Sequence, residues 1–179
     1  MIGNMIGAMT GTKRFYGKYR GTVINNVDPL QQGRIQAMVP DVTGPIPSSW
    51  AMACVPITGK QYGMWVLPQI GTGVWIEYEQ GDPDYPIWSG CWWGSAAEPP
   101  ALALASPPGV PSIVLQTQAQ NTLMISDVPG AAGGILLKTN TGAMISISQT
   151  GIIISNGQGA SIVMAGPTVT VNQGALVVT

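Results

Sequence analysis

The side chains that could perform chemistry lie mostly in one stretch near the middle of the sequence. Glu77 and Glu79 alternate along a strand-like segment, so they share one face and have the residue types of a glycosidase carboxylate pair. No neighbouring sequence marks a sugar cleft, so an exposed strand face or an interface explains them better. Asp82 and Asp84 flank Pro83 in a pattern that is typical of a tight turn rather than a metal site. These carboxylates therefore predict no catalytic centre.

The other residues with catalytic chemistry are absent or wrongly spaced. The chain has no histidine, which excludes His-based acid–base catalysis and both Ser-His-Asp and Cys-His nucleophiles. Cys54 and Cys91 lie in apolar, strand-like contexts without CxxC spacing, so we predict two buried free thiols. The segment Gly71-Thr72-Gly73 is followed by neither a lysine nor a helix, so it is not a phosphate-binding loop. We predict no enzyme activity, no metal site and no cofactor.

Aromatic and basic residues could together bind nucleic acid or sugars. Three tryptophans could stack on such ligands, although a barrel core or a protein junction fits them better: Trp88, Trp92 and Trp93. Four basic residues cluster near the start of the chain, at Lys13, Arg14, Lys18 and Arg20. The net charge is -1 and no basic stripe is present, so nucleic acid is not a predicted partner. Lys138 stands almost alone in the C-terminal part, where either solvent or an enclosed lumen could receive it.

Composition predicts that strands position these residues. The chain has 24 glycines, 15 prolines and a single phenylalanine, and no long window has the composition of a helix, so we predict an all-β chain. Charge and proline content divide it into an N-terminal arm (1–15), a β domain (16–97), a connector (98–111) and a nearly uncharged strand array (112–179). The proline density of the connector excludes helix and central strand and favours an extended, semi-rigid link.

The β domain has the pattern of a small closed barrel. Turn residues such as Asp28-Pro29, Gly33 and Gly81-Asp82 separate segments rich in strand-forming residues. The five predicted strands cover residues 19–26, 34–39, 50–55, 74–78 and 87–93. Five short strands in a domain of this size suit a closed barrel.

The C-terminal array repeats one strand and one turn. Eight strands are predicted, over residues 113–117, 122–126, 135–139, 143–148, 152–155, 161–165, 168–172 and 175–178. Ile145 and Ile147 alternate with Ser146 and Ser148, so one face is aliphatic and the other carries hydroxyl groups. A single chain would leave the aliphatic face and the strand edges open. Wrapping three chains around one axis would close both, so we predict a trimeric needle.

Three segments of the β domain carry a family resemblance: YRGTVINNVDPLQQGRIQAMVP at 19–40, Trp50-Ala51, and PQIGTGVWIEYEQGDPDYPIWSG at 68–90. Residues 16–94 thereby resemble the OB-fold domain of baseplate spike proteins from contractile injection systems. This family includes phage central spikes and the valine-glycine-repeat proteins of type VI secretion. The resemblance implies an N-terminal OB-fold barrel followed by a C-terminal intertwined trimeric β-helix.

The resemblance also implies partners. The family forms homotrimers that dock on a trimeric hub at the barrel end, contact the inner tube indirectly and touch the target membrane transiently. Only about 15 residues precede the OB domain, so we expect the hub to be a separate protein. Some phage spikes end in a His-x-His iron site, which a chain without histidine cannot form. We therefore expect a separate tip protein of the PAAR type (proline-alanine-alanine-arginine repeat) on the C-terminal end, at Ala175, Leu176, Val177, Val178 and Thr179.

The predicted function is a structural, envelope-piercing spike. The alternative is an OB-fold module that binds an oligonucleotide or glycan, with the β-array as an oligomerising stalk; a cell-wall hydrolase would need Glu77 or Glu79. No apolar run is long enough for a transmembrane helix, and Lys13 and Arg14 follow the apolar N-terminus, the wrong order for a signal peptide. We expect synthesis in the cytoplasm and assembly into the baseplate of a phage-tail-like particle, either a virion or an injection system.

Overall fold

The computed structural model describes residues 13–178, which form two compact units that divide between Ala96 and Ala97. Strands dominate both units and the helices are single turns, so the prediction of an all-β chain is confirmed. No helix of the described residues is long and apolar enough to cross a membrane. Most of the predicted N-terminal arm, and Thr179, lie outside the described residues.

The first unit is a five-stranded barrel with an added hairpin. Its strands are β1 (Tyr19–Asn25), β2 (Gln36–Met38), β3 (Met52–Ala53), β4 (Thr58–Gly59), β5 (Tyr62–Gly63), β6 (Gly73–Tyr78) and β7 (Pro86–Trp92). Hydrogen bonds join five of them in the order β2-β1-β6-β7-β3, and β4 pairs with β5 in a separate hairpin. Reciprocal backbone hydrogen bonds between Ile35 and Ala51 link the two outer strands and close the barrel. The predicted OB-type barrel is therefore confirmed.

The barrel core comes from alternating positions on these strands. Side chains two residues apart point to the same face, and the inward set is aliphatic, with Val23, Ile35, Val74 and Ile76 almost fully buried. Trp88 completes the core, and its indole N–H donates to a backbone carbonyl in the connection between β1 and β2. The apolar alternation of the sequence thus folds directly into a packed barrel.

Phe15 covers the end of the barrel where β6 turns into β7. Its ring lies 6.0 Å from that of Tyr19 and 6.1 Å from that of Tyr78, and its N–H donates to the Gly81 carbonyl. The predicted N-terminal arm (1–15) includes Phe15, whereas the structure places this residue in the core. Burial raises the pKa of Tyr78 to about 12, and its hydroxyl has no hydrogen-bond partner among the described residues.

One carboxylate organises the connection between β1 and β2. Asp28 accepts hydrogen bonds from the backbone N–H groups of Leu30 and Gln32, and from the guanidinium of Arg34 at 2.6 Å. Its side chain is only 3% exposed. The hydrogen bond from Arg34, together with those from the backbone, holds the pKa of Asp28 well below its usual range. The predicted turn at Asp28 is therefore fixed by charge-assisted bonds.

The second unit is an antiparallel sheet whose strands follow the order of the sequence. The strands are β8 (Ser112–Gln116), β9 (Thr122–Ser126), β10 (Gly134–Lys138), β11 (Met144–Ser148), β12 (Gly151–Ser155), β13 (Ser161–Ala165), β14 (Thr168–Val171) and β15 (Leu176–Val178). Each pairs with its neighbours in sequence, so this chain alone supplies all the hydrogen bonds between its eight strands. Every predicted strand of the array overlaps an observed one.

The connector differs from its prediction. Residues Ala101–Leu104 form one turn of α-helix, where the proline density had excluded helix. Pro100 precedes this turn, at a position where the missing N–H costs nothing, and alanine and leucine are strong helix formers. The prolines thus limit the helix to a single turn rather than prevent it.

Two further predictions of the sequence analysis were wrong or incomplete. The hairpin of β4 and β5 was missed because its strands are two residues long and no Asn-Gly or Asp-Gly turn marks it. Cys54 and Cys91 are exposed rather than buried. Cys91 lies an odd number of positions from the buried Trp88 and so faces outward, while Cys54 lies just beyond the end of β3. An apolar sequence context does not by itself decide which face a residue occupies.

Candidate functional site

Two rows of aliphatic side chains cross the strands of the second unit on one face. Strand register places the first row in line, from Ile113 through Ile125, Ile135, Ile147, Ile152 and Met164 to Val169. The second row runs beside it, through Leu115, Leu123, Leu137, Ile145, Ile154, Ile162, Val171 and Leu176. Residues two apart on a strand share a face, so both rows belong to one surface, the aliphatic face.

The aliphatic face is uncovered in the single chain. Ile113 and Leu115 on the first strand are 59% and 58% exposed, and Ile145 and Ile154 near the middle are 39% and 40% exposed. A contiguous apolar surface that crosses eight strands marks an interaction site rather than a solvated face. The prediction that one chain leaves its aliphatic face open is confirmed.

The opposite face of the sheet is mixed in polarity and partly covered by its own chain. Its central row alternates in register with the aliphatic face and consists of Val114, Met124, Leu136, Ser146, Ile153, Val163 and Thr170. Leu102 and Ala105 of the connector enclose a cavity of about 390 Å³ against Met124 and Leu136. Met124 is consequently only 8% exposed. The connector therefore covers part of the mixed face, whereas the aliphatic face has no such cover from the described residues.

Lys138 lies on the mixed face. Its partners in strand register are Thr122 and Met144, and each of them is one residue away from an aliphatic-face position on its own strand. Lys138 therefore shares their face, and it is exposed. The sequence left open whether Lys138 points to solvent or into a lumen. Its register favours the side away from the aliphatic face.

Asparagine side chains tie neighbouring turns together along one side of the sheet. The N–H of Asn140 donates to Oδ1 of Asn121 at 3.1 Å, which links two successive turns on that side. The N–H of Ser161 donates to Oδ1 of Asn172 at 3.1 Å further along. A slip of one residue would move every side chain of a strand to the other face. These bonds therefore help to keep the two aliphatic rows aligned.

Glycines permit the close approach of strands at the other side of the sheet. Gly134 has a φ of +87°, and a Cβ there would lie against the carbonyl oxygen of Ile147. Gly151 meets the carbonyl of Met164 in the same way. Only glycine combines this backbone conformation with such a contact. Gly134 and Gly151 are the first residues of β10 and β12, so they help to fix where these two strands begin.

The glutamates singled out from the sequence do not form a catalytic pair. Glu77 lies on β6 and accepts a hydrogen bond of 2.6 Å from Nζ of Lys18, which also donates to Oγ of Ser89 at 2.8 Å. Glu79 lies beyond the end of β6, in the short turn Glu79–Gly81. The prediction that they share a strand face is therefore wrong, because the strand ends between them.

The aspartates of the next turn have structural roles, as predicted. Oδ1 of Asp82 accepts the N–H of Asp84 at 3.1 Å, and Oδ2 pairs with Arg14 at 2.9 Å. Such a bond from a carboxylate to the N–H two residues later is typical of an Asx turn. Within residues 13–178, no group of three or more acidic or cysteine side chains is placed to hold a metal ion.

The four basic residues near the start of the barrel have partners within the barrel. Lys18 and Arg14 form the ion pairs described above, and Nζ of Lys13 lies 4.8 Å from the centre of the Phe15 ring. The guanidinium of Arg20 lies 5.7 Å from the ring of Trp75 and 5.0 Å from that of Trp92. Trp88 is buried in the core, whereas Trp93 is exposed. This arrangement does not favour the oligonucleotide-binding alternative, because these cations are engaged.

Comparison with known families covers both units. Residues 19–93 match the type VI secretion system/phage-baseplate injector OB domain, and residues 112–177 match the phage baseplate V C-terminal trimerisation domain. The chain belongs to the baseplate spike proteins. The family resemblance inferred from the sequence is thus confirmed. The aliphatic face of the spike lies entirely within the part that matches a trimerisation domain, which supports a homotrimer. No curated protein matches the spike sequence.

The residues predicted to contact a tip protein lie at the last strand of the spike. In β15, Leu176 is 59% exposed, and among the described strands β15 pairs only with β14. Ala175 precedes β15 and is exposed. Val177 and Val178 continue the strand, and Thr179 lies outside the described residues. The tip contact stays a prediction.

Sequence reasoning missed an apolar surface on the barrel of the spike. Tyr62 and Trp65, beside the hairpin of β4 and β5, are 64% and 66% exposed. The signal was present, because residues 55–67 read VPITGKQYGMWVL and contain a single charge. It was not recognised because the segment lacks the alternation of a strand and carries no catalytic residue type.

Proposed function

We propose that three copies of the spike associate through their aliphatic faces into a rigid needle that breaches a target envelope when a contractile machine fires. The observation that carries this proposal is the pair of aliphatic rows that run from Ile113 to Leu176, most of whose side chains are exposed in one chain. Three chains wrapped around one axis would bury both rows and turn the mixed face outward. Association would then add to the stability of each chain.

The dimensions suit a needle. Strands in a sheet lie about 4.8 Å apart, so eight of them stack to roughly 40 Å. Continuous hydrogen bonding from β8 to β15 runs along the proposed axis and would resist bending under axial load. The role is therefore mechanical, and no bond-making step is proposed.

The charge distribution supports entry of the C-terminal end into a membrane. After Lys138 the sequence contains no Asp, Glu, Lys or Arg side chain. A charged side chain at the centre of a bilayer costs about 2.5–3.5 kcal/mol, and a trimer would carry each one three times. Strands β11 to β15 would enter hydrocarbon without this cost.

Two partners complete the proposal. A separate trimeric hub would hold the barrel end and connect it to the inner tube, in keeping with the match to an injector OB domain. A separate tip protein of the PAAR type would cover the free edge of β15, where Leu176 is exposed. The spike would act within the baseplate of a phage-tail-like particle, and it would touch the target membrane only on firing.

The first test is the solution mass of the purified protein, measured by light scattering with and without strong detergent at room temperature. A detergent-resistant mass of three chains, with rods of roughly 40 Å in electron micrographs, would support the needle. A stable, soluble monomer would overturn it.

The piercing role is tested by charge placement on the mixed face. Ser161→Glu puts a carboxylate in the uncharged half, and Ser112→Glu puts the same group on the same face of the first strand. Particles carrying Ser161→Glu should assemble but deliver poorly, whereas Ser112→Glu particles should deliver normally. Equal delivery by both would contradict the piercing role.

A further inference from the structure

The barrel end at which β7 terminates brings together three connections. The side-chain N–H of Asn26, after β1, donates to the carbonyl of Pro68 at 3.0 Å. The N–H of Gly71 donates to the carbonyl of Val23 at 2.8 Å, and Gly73 pairs with Trp92 at the end of β7. The chain continues from this end towards the trimerisation domain. The connections after β1, after β3 and before β6 therefore share the end from which the chain leaves the barrel.

These connections expose a set of large apolar side chains. Those beside the hairpin of β4 and β5 are between 48% and 66% exposed, namely Ile57, Tyr62, Met64, Trp65 and Val66. The other two connections add Val27, Leu30 and Ile70, at 75%, 62% and 63%. We call this set the exit face. A Tyr or Trp side chain contributes about 150–250 Å² when buried, so the eight together exceed the few hundred Å² that a typical monomer leaves exposed in one patch.

The exit face is ordered and nearly uncharged. The ring of Trp65 packs against Gly33, where a Cβ would lie 3.4 Å from the ring, and the N–H of Met64 donates to the carbonyl of Ile57 at 3.0 Å. Asp28 is buried in its pair with Arg34, which leaves Lys60 as the exposed charge of these three connections. Aromatic residues and methionine are enriched in protein interfaces, from whose centres charges are depleted.

We propose that the exit face of each barrel packs against the barrel of a second copy within the same trimer. This inference rests on the proposed trimer and assigns a second contact to it. We choose a second copy as the partner of the exit face because the chain passes from this end of the barrel to the trimerisation domain. That domain begins at residue 112, and β7 ends at Trp92. A connection of this length holds the three barrels at an effective concentration of the order of millimolar. At that concentration an apolar surface too weak to dimerise alone becomes buried. A ring of three head-to-tail contacts closes around a threefold axis and needs no self-complementary patch.

The experiment is hydroxyl-radical footprinting of the full-length protein without other components. Oxidation is measured at Tyr62 and Trp65, with Tyr16 and Tyr85 as internal controls at the opposite end of the barrel. In the single chain these controls are similarly exposed, at 72% and 61%. The same measurement is made on Ile154→Asp, a variant of the aliphatic face designed to be monomeric.

In the wild-type trimer, we expect Tyr62 and Trp65 to be oxidised at least fivefold more slowly than in the monomeric variant, and Tyr16 and Tyr85 to be unchanged. Equal oxidation in trimer and monomer would overturn the barrel contact while leaving the needle intact. If Tyr62 and Trp65 stay protected in the monomeric variant, residues of the same chain must cover them, and this result would also overturn the barrel contact. A wild-type protein that is itself monomeric would refute the proposed function instead, as the solution mass would show.

A second readout does not depend on the monomeric variant. Trimers assembled from ¹⁴N- and ¹⁵N-labelled chains are cross-linked through a cysteine introduced as Gln61→Cys in a Cys54→Ser, Cys91→Ser background. Mixed-isotope links from position 61 to residues of a second barrel support the contact, and links confined to one chain contradict it.

Discussion

A change at one position of the aliphatic face should weaken the trimer by a calculable amount. Ile154 is 40% exposed in the single chain. Complete burial of an isoleucine contributes about 1.5–3 kcal/mol, so the part that only the trimer can bury is worth about 0.6–1.2 kcal/mol per chain. Three chains give roughly 2–4 kcal/mol. Ile154→Ala should therefore lower the association constant about 30- to 1,000-fold, and Ile154→Asp should abolish trimers, because it would bury three unpaired carboxylates.

The next residue provides a matched control. Ser155 lies on the mixed face, and its Oγ accepts the N–H of Gly157 at 3.1 Å, a bond that an aspartate can also accept. Ser155→Asp should leave the trimer intact. Trimer dissociation is followed by sedimentation velocity over a dilution series. A trimer of unchanged strength in Ile154→Asp, or equal dissociation of both aspartate variants, would refute the assignment of the aliphatic face.

Three further outcomes follow from local chemistry. Asp28→Asn should make the stability of the barrel, measured by circular dichroism, less dependent on pH under acidic conditions. A carboxyl whose pKa is lowered in the folded state stabilises the fold above its unfolded pKa of about 3.9, and this contribution is lost as the pH falls below that value. Tyr78→Phe should raise the free energy of unfolding by about 1 kcal/mol in urea titrations, since the hydroxyl has no hydrogen-bond partner among residues 13–178. It should also reduce the loss of stability above pH 10 that the raised pKa of Tyr78 imposes. Gly134→Ala should lower the melting temperature more than Gly166→Ala, because both have positive φ but only the first would meet a neighbouring carbonyl.

The strands were predictable because alternation and turn residues agree in this chain. Ile145 and Ile147 alternate with Ser146 and Ser148, and glycine, asparagine or proline marks most strand ends of the array, so pattern and turn chemistry give the same register. The one-turn helix over Ala101–Leu104 and the hairpin of β4 and β5 were not predicted. Both are shorter than the windows of about 11–18 residues for a helix and about 4–8 residues for a strand in which a periodic pattern can be recognised.

The aliphatic face was predicted in kind but not in extent. Alternation within β11 identified the face, while only strand pairing shows that its two rows continue without interruption from Ile113 to Leu176. The two glutamates show what a local sequence pattern cannot predict. Glu77 and Glu79 have the spacing of a shared face, but the end of β6 between them depends on tertiary hydrogen bonding that no local pattern records. The exit face carries no motif and became visible only from exposure.

The ordering of strands in the second unit has a consequence for how the needle is made. Each strand of β8 to β15 pairs with the next one in sequence, so every loop that must close is short. Low contact order allows rapid folding, and a hairpin forms in microseconds. A newly made chain could therefore complete its sheet before it meets another copy. Assembly would then be the docking of three finished walls, limited by the concentration of chains rather than by the untangling of strands.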